Sequence, residues 1–282
     1  PEFLREGSAV HDMFHPDKTV IGLQHGDTAS LKIMKEIYKG IDAPMIVTTI
    51  NDAEVIKFTS NAFLATKISF INEVARICDC YQADVTTVAA TIGLDPRIGE
   101  HFLQAGVGYG GSCFPKDVSS FIHSAKQKGV TTPILEAVQL VNETQLDWYI
   151  DKITTYLGDS ITKKVAVLGI AFKPHTDDTR SSRAVALIQK LDALKFNVMA
   201  YDPKATLPAK GLKSAKQADS IEEAILDADC LFIATDWPSF KTLDWKRVKT
   251  WMKGDLIIDG RNCIDPNEIR KHELRYVGVG RI

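Results

Sequence analysis

One stretch in the last third of the chain limits the possible folds more than any other. Residues 165–170 read Val-Ala-Val-Leu-Gly-Ile and follow the basic pair Lys163-Lys164. A strand that is apolar on both faces is typical of a parallel sheet covered by helices on each side. Three similar runs begin at residues 198, 230 and 256, with helical stretches at residues 182–195 and 220–226 between them. This alternation predicts right-handed crossovers and a doubly wound α/β domain over residues 158–282.

Polar residues stand at the ends of these predicted strands. They are Asp202, Thr235-Asp236 and Asp259-Gly260-Arg261. Open α/β sheets hold their ligands in a crevice at the carboxyl ends of the strands. That crevice is therefore the first candidate site.

The first 51 residues have the pattern of the end of another α/β domain. Short β-branched runs at residues 19–22 and 45–48 predict two strands, and residues 27–39 predict a helix between them. The chain opens on Pro-Glu-Phe-Leu-Arg-Glu-Gly, with no initiator Met and in loop-like sequence. We therefore expect a fragment of a longer protein.

The middle of the chain, residues 52–157, has helical periodicity. Apolar residues recur mostly at three- and four-residue steps over residues 52–81, which predicts one long helix. Further helices are expected at residues 84–91, 96–104, 116–128 and 133–156.

Composition excludes several classes of protein. The chain is 45% apolar and 25% charged, with a formal net charge of −2, which indicates a globular protein without a nucleic-acid surface. No apolar run reaches the roughly 18–20 residues that a membrane span needs, so we expect a cytoplasmic protein with neither membrane nor nucleic acid as a partner.

The five cysteines are odd in number and show no paired C-x-x-C spacing, so no metal site is expected. Three of them, Cys78, Cys230 and Cys263, are interpreted as buried hydrophobes.

Residues 106–111, Gly-Val-Gly-Tyr-Gly-Gly, satisfy the dinucleotide-binding pattern G-x-G-x-x-G. That motif works only where it follows a strand and opens a helix, whereas this run follows the helical residues 101–105. We interpret it instead as a loop that needs positive φ or approaches a ligand closely. A plain flexible turn is the alternative.

Cys113 lies just beyond these glycines and just before a predicted helix. Pro115 is a helix-start signal, so the helix N–H groups and Lys116 would favour the reactive thiolate. Asp117 is either an ordinary first-turn carboxylate or a partner that moves protons at the thiol. The spacing does not choose between these roles.

Lys57 and Asn61 lie four residues apart and so share one face of the predicted long helix. Continuing that row reaches apolar residues, so both side chains point toward packed interior. Either Lys57 extends to solvent and Asn61 bonds locally, or the two form a pair of donors for an oxyanion.

Four segments together resemble the UDP-glucose/GDP-mannose dehydrogenase family, and its UDP-glucose branch most of all. They stand in the family's order across essentially the whole chain: PEFLREG at residues 1–7, KxxxNAF at 57–63, GGSCFPKD at 110–117 and FKPxTDDxR at 172–180. The resemblance implies an N-terminal Rossmann domain that binds NAD, a central helical dimerisation region and a C-terminal Rossmann-like domain that holds UDP. Residues 1–51 would be a remnant of the NAD-binding domain without its glycine-rich fingerprint. We therefore expect a homodimer through the central helices, and a fragment inactive on its own.

The resemblance also implies chemistry. The family oxidises the sugar C6 alcohol to a carboxylate in two hydride transfers, and Cys113 would hold the intermediate aldehyde as a thiohemiacetal and then a thioester. Lys57 and Asn61 would stabilise the oxyanion, and Asp117 would transfer protons through water. Glu2 and Glu6 are both candidates for activating the hydrolytic water, and the choice between them is open.

The remaining implied contacts divide by ligand. Those to the nucleotide sugar are Phe3, Leu4, Phe102, Tyr109, Gly110, Phe172, Lys173 and Arg261, with Arg97 reaching across the dimer. Those to NAD are Lys116 and Arg180. The alternatives are a dehydrogenase of GDP-mannose or of a UDP-N-acetylhexosamine, and a non-catalytic module for nucleotide-sugar binding or dimerisation.

Overall fold

The computed structural model describes residues 1–158 and 160–281. The chain divides into two compact units, Pro1–Phe63 and Leu64–Ile282. The division falls inside the longest helix, which runs from Ile50 to Tyr81. The predicted domain boundaries near residues 51 and 157 stay predictions.

The first unit contains the predicted strand–helix–strand pattern. Its elements are α1 (Ala9–Phe14), β1 (Thr19–Leu23), α2 (Thr28–Ile37), β2 (Met45–Thr49) and the first part of α3 (Ile50–Tyr81). Strands β1 and β2 pair in parallel, with Val20 opposite Ile46. A Cβ on Gly22 would lie 2.8 Å from the Ala53 Cβ, so the start of α3 packs directly on β1.

The helical part of the second unit comprises the rest of α3, α4 (Val85–Gly93), α5 (Phe114–Gln127) and α6 (Pro133–Leu157). The side chain of Asp84 caps α4 by accepting from the N–H groups of Thr86 and Thr87. Helices α3 and α6 are joined by a hydrogen bond of 2.8 Å from the Ser69 hydroxyl to the Val138 carbonyl. These helices confirm the helical middle of the chain.

The helix predicted at residues 96–104 is wrong. The backbone there forms turns and irregular structure. Gly99 and Phe102 have φ of +69° and +66°, which an α-helix cannot contain. The carboxylate of Asp95 accepts from the backbone N–H of Arg97, a local bond that competes with helix formation.

The predicted doubly wound sheet is confirmed. Six parallel strands stand in the order β5-β4-β3-β6-β7-β8; in chain order they are β3 (Lys164–Leu168), β4 (Asn197–Tyr201), β5 (Lys216–Gln217), β6 (Cys230–Ile233), β7 (Leu256–Asp259) and β8 (Arg275–Gly278). Strands β5 and β8 were not predicted, because one has two residues and the other alternates buried with less buried positions. The chain reverses its direction across the sheet between β3 and β6, so this is the topological switch point.

Helices cover both faces of this sheet: α7 (Arg183–Ala193), α8 (Ile221–Ile225), α9 (Pro238–Lys241), α10 (Trp245–Trp251) and α11 (Pro266–Arg270). On β3, Val165 and Val167 pack into one hydrophobic core, whereas Ala166 and Leu168 pack into the other. This is why the run at residues 165–170 is apolar throughout. Within the described ranges, every helix is too short or too polar to cross a membrane.

Candidate functional site

A cavity of about 820 Å³ opens at the switch point of the six-stranded sheet. Phe172, Asp236 and Arg261 line it from the loops that follow β3, β6 and β7. The opposite wall comes from residues 100–110 and from α4. The crevice expected at the carboxyl ends of the strands is therefore present, and its volume suits a nucleotide-sized ligand.

Arg261 ties two of these strand ends together. Its Nε donates to the Ala234 carbonyl, beyond β6, and its Nη2 donates to the Phe172 carbonyl, beyond β3, each at 2.8 Å. The guanidinium is half-buried on the cavity wall. It presents a fixed positive charge to whatever occupies the cavity.

The acid at the end of β4 is used within the protein. The buried carboxylate of Asp202 accepts from the backbone N–H groups of Ile170 and Ala171 at 2.8 and 3.0 Å, and from the Trp237 indole at 3.1 Å. In dinucleotide-binding domains an acid near this position holds a ribose hydroxyl. Here it shapes the loop after β3 instead.

Residues 106–111 form the glycine loop, a mostly buried segment beside the cavity. The Val107 N–H donates to the Gly260 carbonyl at 2.8 Å, which joins the loop to the end of β7. A Cβ on Gly111, where φ is +84°, would lie 2.7 Å from the Phe172 ring. The predicted positive φ is confirmed at Gly108 and Gly111. The close approach seen at Gly111 is to the protein's own Phe172 ring, and close approach to a ligand stays a prediction.

Buried amides on two helices hold the backbone of the glycine loop, and the sequence analysis missed them. Asn72 on α3 accepts from the Gly106 N–H, and Gln145 on α6 donates to the Gly106 carbonyl, both at 2.8 Å. Asn142 bonds the N–H and the carbonyl of Tyr109. The available signal was on α6, where Asn142 and Gln145 share a helix face with Val138, Leu146 and Tyr149.

Aromatic rings connect the cavity to the predicted nucleophile. The rings of Phe102 and Tyr109 each lie 6.2 Å from the ring of Phe114, and all three residues line the cavity. Burial raises the pKa of the Tyr109 phenol to about 12, so the group is neutral at physiological pH. Phe114 directly follows Cys113, so the thiol-bearing residue adjoins the cavity wall in sequence.

Cys113 occupies the N-cap position of α5 and is half-buried. Its Sγ lies 3.6 Å from the Ser112 hydroxyl, and its carbonyl accepts from the Asp117 N–H at 2.8 Å. The Asp117 carboxylate is buried one turn later, 3.5 Å from the Lys116 ammonium. The thiol-bearing residue therefore lies at the positive end of the α5 dipole, three residues before Lys116.

The remaining predicted catalytic residues belong to the first unit. The Lys57 ammonium lies 3.7 Å from the Glu2 carboxylate and 5.4 Å from the centre of the Phe3 ring. Asn61 is buried one helical turn after Lys57. Leu4 and Glu6 are exposed.

Three other predicted binding residues carry their own local contacts. Arg97 and Arg180 are exposed, and each pairs with an aspartate two positions earlier in the chain, Asp95 at 2.6 Å and Asp178 at 2.8 Å. The Lys173 ammonium lies 5.6 Å from the centre of the Phe172 ring. Cys263, which we interpreted as a buried hydrophobe, is half-buried and lines the cavity.

Comparison with known proteins finds three matches to one family, in order along the chain. Residues 1–42, 51–144 and 166–266 match the NAD binding domain, the central domain and the UDP binding domain of the UDP-glucose/GDP-mannose dehydrogenase family. The cavity residues Phe172, Asp236 and Arg261 fall inside the UDP binding match, and Cys113 falls inside the central match.

Individual relatives agree with these matches. A Bacillus subtilis protein with the provisional name UDP-glucose 6-dehydrogenase is 53% identical over 281 residues, and a second UDP-glucose 6-dehydrogenase of that organism is 43% identical. A UDP-glucose dehydrogenase structure from Pyrobaculum islandicum superimposes on 100% of this chain and 63% of its own, with a TM-score of 0.89 at 36% identity. The chain spans 66% and 61% of the lengths of the two Bacillus relatives, and all of it is covered in both.

NAD is the cofactor indicated by the match at residues 1–42. Two features that commonly hold its pyrophosphate, a glycine-rich turn and an open helix N-terminus, are missing from the described strand–helix–strand part of the first unit. No G-x-G-x-x-G run occurs in residues 1–63, and the Asp27 carboxylate already occupies the N-terminus of α2 by accepting from the Ser30 N–H at 2.9 Å.

Three matches to one family follow each other along the chain. The fold is shared with a solved structure of a UDP-glucose dehydrogenase, and the cavity lies in the part of the chain that matches the UDP binding domain. The chain belongs to the UDP-glucose/GDP-mannose dehydrogenase family.

Proposed function

We propose that this chain is the substrate-binding and nucleophile-bearing part of an NAD-dependent UDP-glucose 6-dehydrogenase. The observation that carries the proposal is the cavity at the switch point, whose wall continues from Arg261 through the glycine loop to Phe114, the residue after Cys113. The relatives named for UDP-glucose are 36–53% identical, whereas a UDP-D-ManNAc dehydrogenase structure from Pyrococcus horikoshii is 26% identical. This difference favours UDP-glucose over the N-acetylated sugar.

Cys113 is the nucleophile in this proposal. Its Sγ adds to the C6 aldehyde of the sugar, and the resulting thiohemiacetal stays attached to the enzyme between the two oxidations. NAD, when bound, supplies the hydride acceptor for both. The second oxidation converts the thiohemiacetal into a thioester. Attack of water on the thioester then releases the carboxylate and returns the thiol.

The other predicted catalytic residues act on charge and protons. Lys57 and Asn61, one turn apart on α3, donate to the oxyanion of the tetrahedral species, where one good donor contributes about 2.7–4 kcal/mol in other enzymes. Asp117 transfers protons through water. Glu2 and Glu6 are the two candidates for activating the hydrolytic water, and the pairing of Glu2 with Lys57 favours Glu2.

The nucleotide is proposed to lie against Phe172 and Arg261, with Phe102, Tyr109 and Gly110 on the opposite wall. Arg261 supplies positive charge to the pyrophosphate. Phe3, Leu4 and Lys173 are assigned to the same substrate, Lys116 and Arg180 to NAD. The 282-residue polypeptide by itself is proposed not to reduce NAD, because the described strand–helix–strand part of the first unit lacks a glycine-rich turn and an open helix N-terminus.

We also propose a homodimer through the central helices. On α3, Phe70, Ile77 and Tyr81 are large and exposed at 55%, 49% and 80%, and they recur at seven- and four-residue steps. Such a stripe lies along one face of a helix and suits an identical helix from a second copy. Arg97, in the turn after α4, would then contact the partner's sugar. Analytical ultracentrifugation of the Ile77→Glu variant tests this dimer. A monomeric variant would support the proposed dimer surface, and a variant that stays dimeric would refute it.

Isothermal titration calorimetry of the 282-residue polypeptide tests the substrate assignment. We expect UDP and UDP-glucose to bind and GDP to bind at least about tenfold more weakly, a difference of about 1.4 kcal/mol. A preference for GDP would move the assignment to GDP-mannose. Binding of neither nucleotide would refute the proposed site.

A further inference from the structure

Arg183, the first residue of α7, contacts two other parts of the second unit at once, the glycine loop and α6. Its Nε donates to the Val107 carbonyl of the glycine loop at 3.1 Å, and its Nη2 donates to the Asn142 carbonyl on α6 at 2.7 Å. The residue itself belongs to the domain built on the six-stranded sheet, here called the sheet domain. Helix α7 packs on the face of β3 that carries Val165 and Val167. Nothing in the sequence pattern had marked this arginine.

Val107 is held from both sides as a result. Its carbonyl accepts from Arg183, and its N–H donates to the Gly260 carbonyl, next to Arg261. The loop segment six residues before Cys113 is thus fixed to the sheet domain at two separate points. Any ligand held by Arg261 is thereby connected to the loop that leads to the thiol.

We propose that Arg183 is a positioning residue, which holds the glycine loop against the sheet domain and so sets the position of Cys113 relative to the bound nucleotide. The proposal rests on the proposed function, because it takes UDP as the occupant of the cavity and Cys113 as the reacting group. Arg183 does not line the large cavity, so it acts through the loop and not through contact with the nucleotide.

The geometry explains why an arginine stands here. Two carbonyls on separate elements are reached by two N–H groups of one planar guanidinium, whose fork fixes both directions. A lysine ammonium would reach one of them without fixing the other. The neighbouring Asn142 extends the same support, since its side chain bonds the backbone of Tyr109 further along the loop.

The surface pair Lys190–Asp147 provides a matched control. It also joins α7 to α6, at 2.8 Å, but both side chains are about half exposed, and among the described residues neither has a hydrogen bond or ion pair to the glycine loop. Removing its charge with Lys190→Met tests whether any loss of contact between these helices has the same effect. Arg183→Met keeps the apolar stem at the site, and Arg183→Lys keeps the charge without the fork.

The experiment measures iodoacetamide labelling of Cys113 across pH 6 to 9, with and without UDP, by peptide mass spectrometry. Exposed Cys80 in the same sample is the internal reference. In the unaltered protein and in Lys190→Met, we expect UDP to change the Cys113 rate by at least about tenfold. In Arg183→Met we expect that dependence to fall below about twofold, while calorimetry gives a UDP affinity within about threefold and the thermal midpoint stays within about 8 °C. Arg183→Lys should recover part of the dependence.

Each other outcome counts against a stated claim. Retained UDP dependence in Arg183→Met would overturn the positioning role. An equal loss in Lys190→Met, or a loss of UDP affinity as large as the loss of dependence, would show a structural role and also overturn it. No UDP binding by the unaltered protein would refute the proposed function itself.

Discussion

The side-chain amide of Asn142 makes both main-chain hydrogen bonds of Tyr109, accepting from its N–H at 2.8 Å and donating to its carbonyl at 3.1 Å. A buried side chain thus takes the place that a neighbouring strand would have, and residues 106–111 keep a defined shape without regular secondary structure. One wall of the cavity depends on this pair.

We predict that Asn142→Asp destabilises the protein by about 1–3 kcal/mol, because the new carboxylate faces the Tyr109 carbonyl without a proton to donate. UDP affinity should fall as well, since Tyr109 lines the cavity. Urea denaturation and calorimetry measure the two effects. Asn267→Asp, the same change at an exposed position of α11, should alter neither, and equal behaviour of the two variants would contradict the role of the amide.

Gly111 and Gly129 allow the contact with Phe172 to be separated from backbone strain. Both have positive φ, +84° and +74°, but a Cβ on Gly111 meets the Phe172 ring whereas one on Gly129 meets nothing within 4 Å. Both alanine variants should lose about 1–2 kcal/mol from the left-handed backbone. Gly111→Ala should lose about 1–3 kcal/mol more and bind UDP less tightly. Equal stabilities by urea denaturation would show that the ring can move away freely.

Arg261→Lys should weaken UDP binding by at least about tenfold, because lysine cannot bridge the Phe172 and Ala234 carbonyls and also face the ligand. Calorimetry gives the affinity directly. Arg275→Lys, at the exposed first residue of β8 and 3.7 Å from Asp255, is the matched change and should leave binding as it was. Unchanged affinity in Arg261→Lys would place the nucleotide elsewhere.

Lowering the pH should reveal how much the Asp192 carboxylate, near the end of α7, contributes to the stability of the fold. Burial by itself would raise the pKa of this carboxyl, but hydrogen bonds from Ser214 and from the backbone N–H groups of Lys213 and Ala215 outweigh it and lower the pKa to about 2. A carboxylate with a lowered pKa stabilises the fold above its unfolded value of about 3.8 and loses that contribution as the pH falls toward about 2. Asp192→Asn should therefore be less stable than the unaltered protein at pH 6, by about 2 kcal/mol, with a gap that narrows below pH 4. A gap independent of pH by urea denaturation would contradict this.

The sheet domain was predictable because its signals are local. Residues 165–170 are apolar on both faces because each face meets a core, and Ser182 and Ser220 cap α7 and α8 where the pattern begins. Cys113 likewise stands at the N-terminus of α5, and Pro115 in the first turn of that helix marks its start in the sequence.

The support of the site was not predictable, because its contacts join distant parts of the chain. Asn72 and Gln145 are 73 residues apart, and Arg183 lies 76 residues from Val107. A single polar residue in an apolar row does not reveal which backbone it will meet. The helix expected at residues 96–104 failed for a related reason, since the positive φ of the non-glycine Phe102 leaves no mark in the sequence.

Labelling of Cys113 by iodoacetamide at pH 7, compared with Cys80 in the same protein and repeated with UDP-glucose, tests the central claim most directly. A nucleophilic Cys113 at the N-terminus of α5 should react at least about tenfold faster than the exposed reference thiol, and UDP-glucose should protect Cys113 alone. Labelling of Cys113 at or below the rate of Cys80, unchanged by UDP-glucose, would contradict the account.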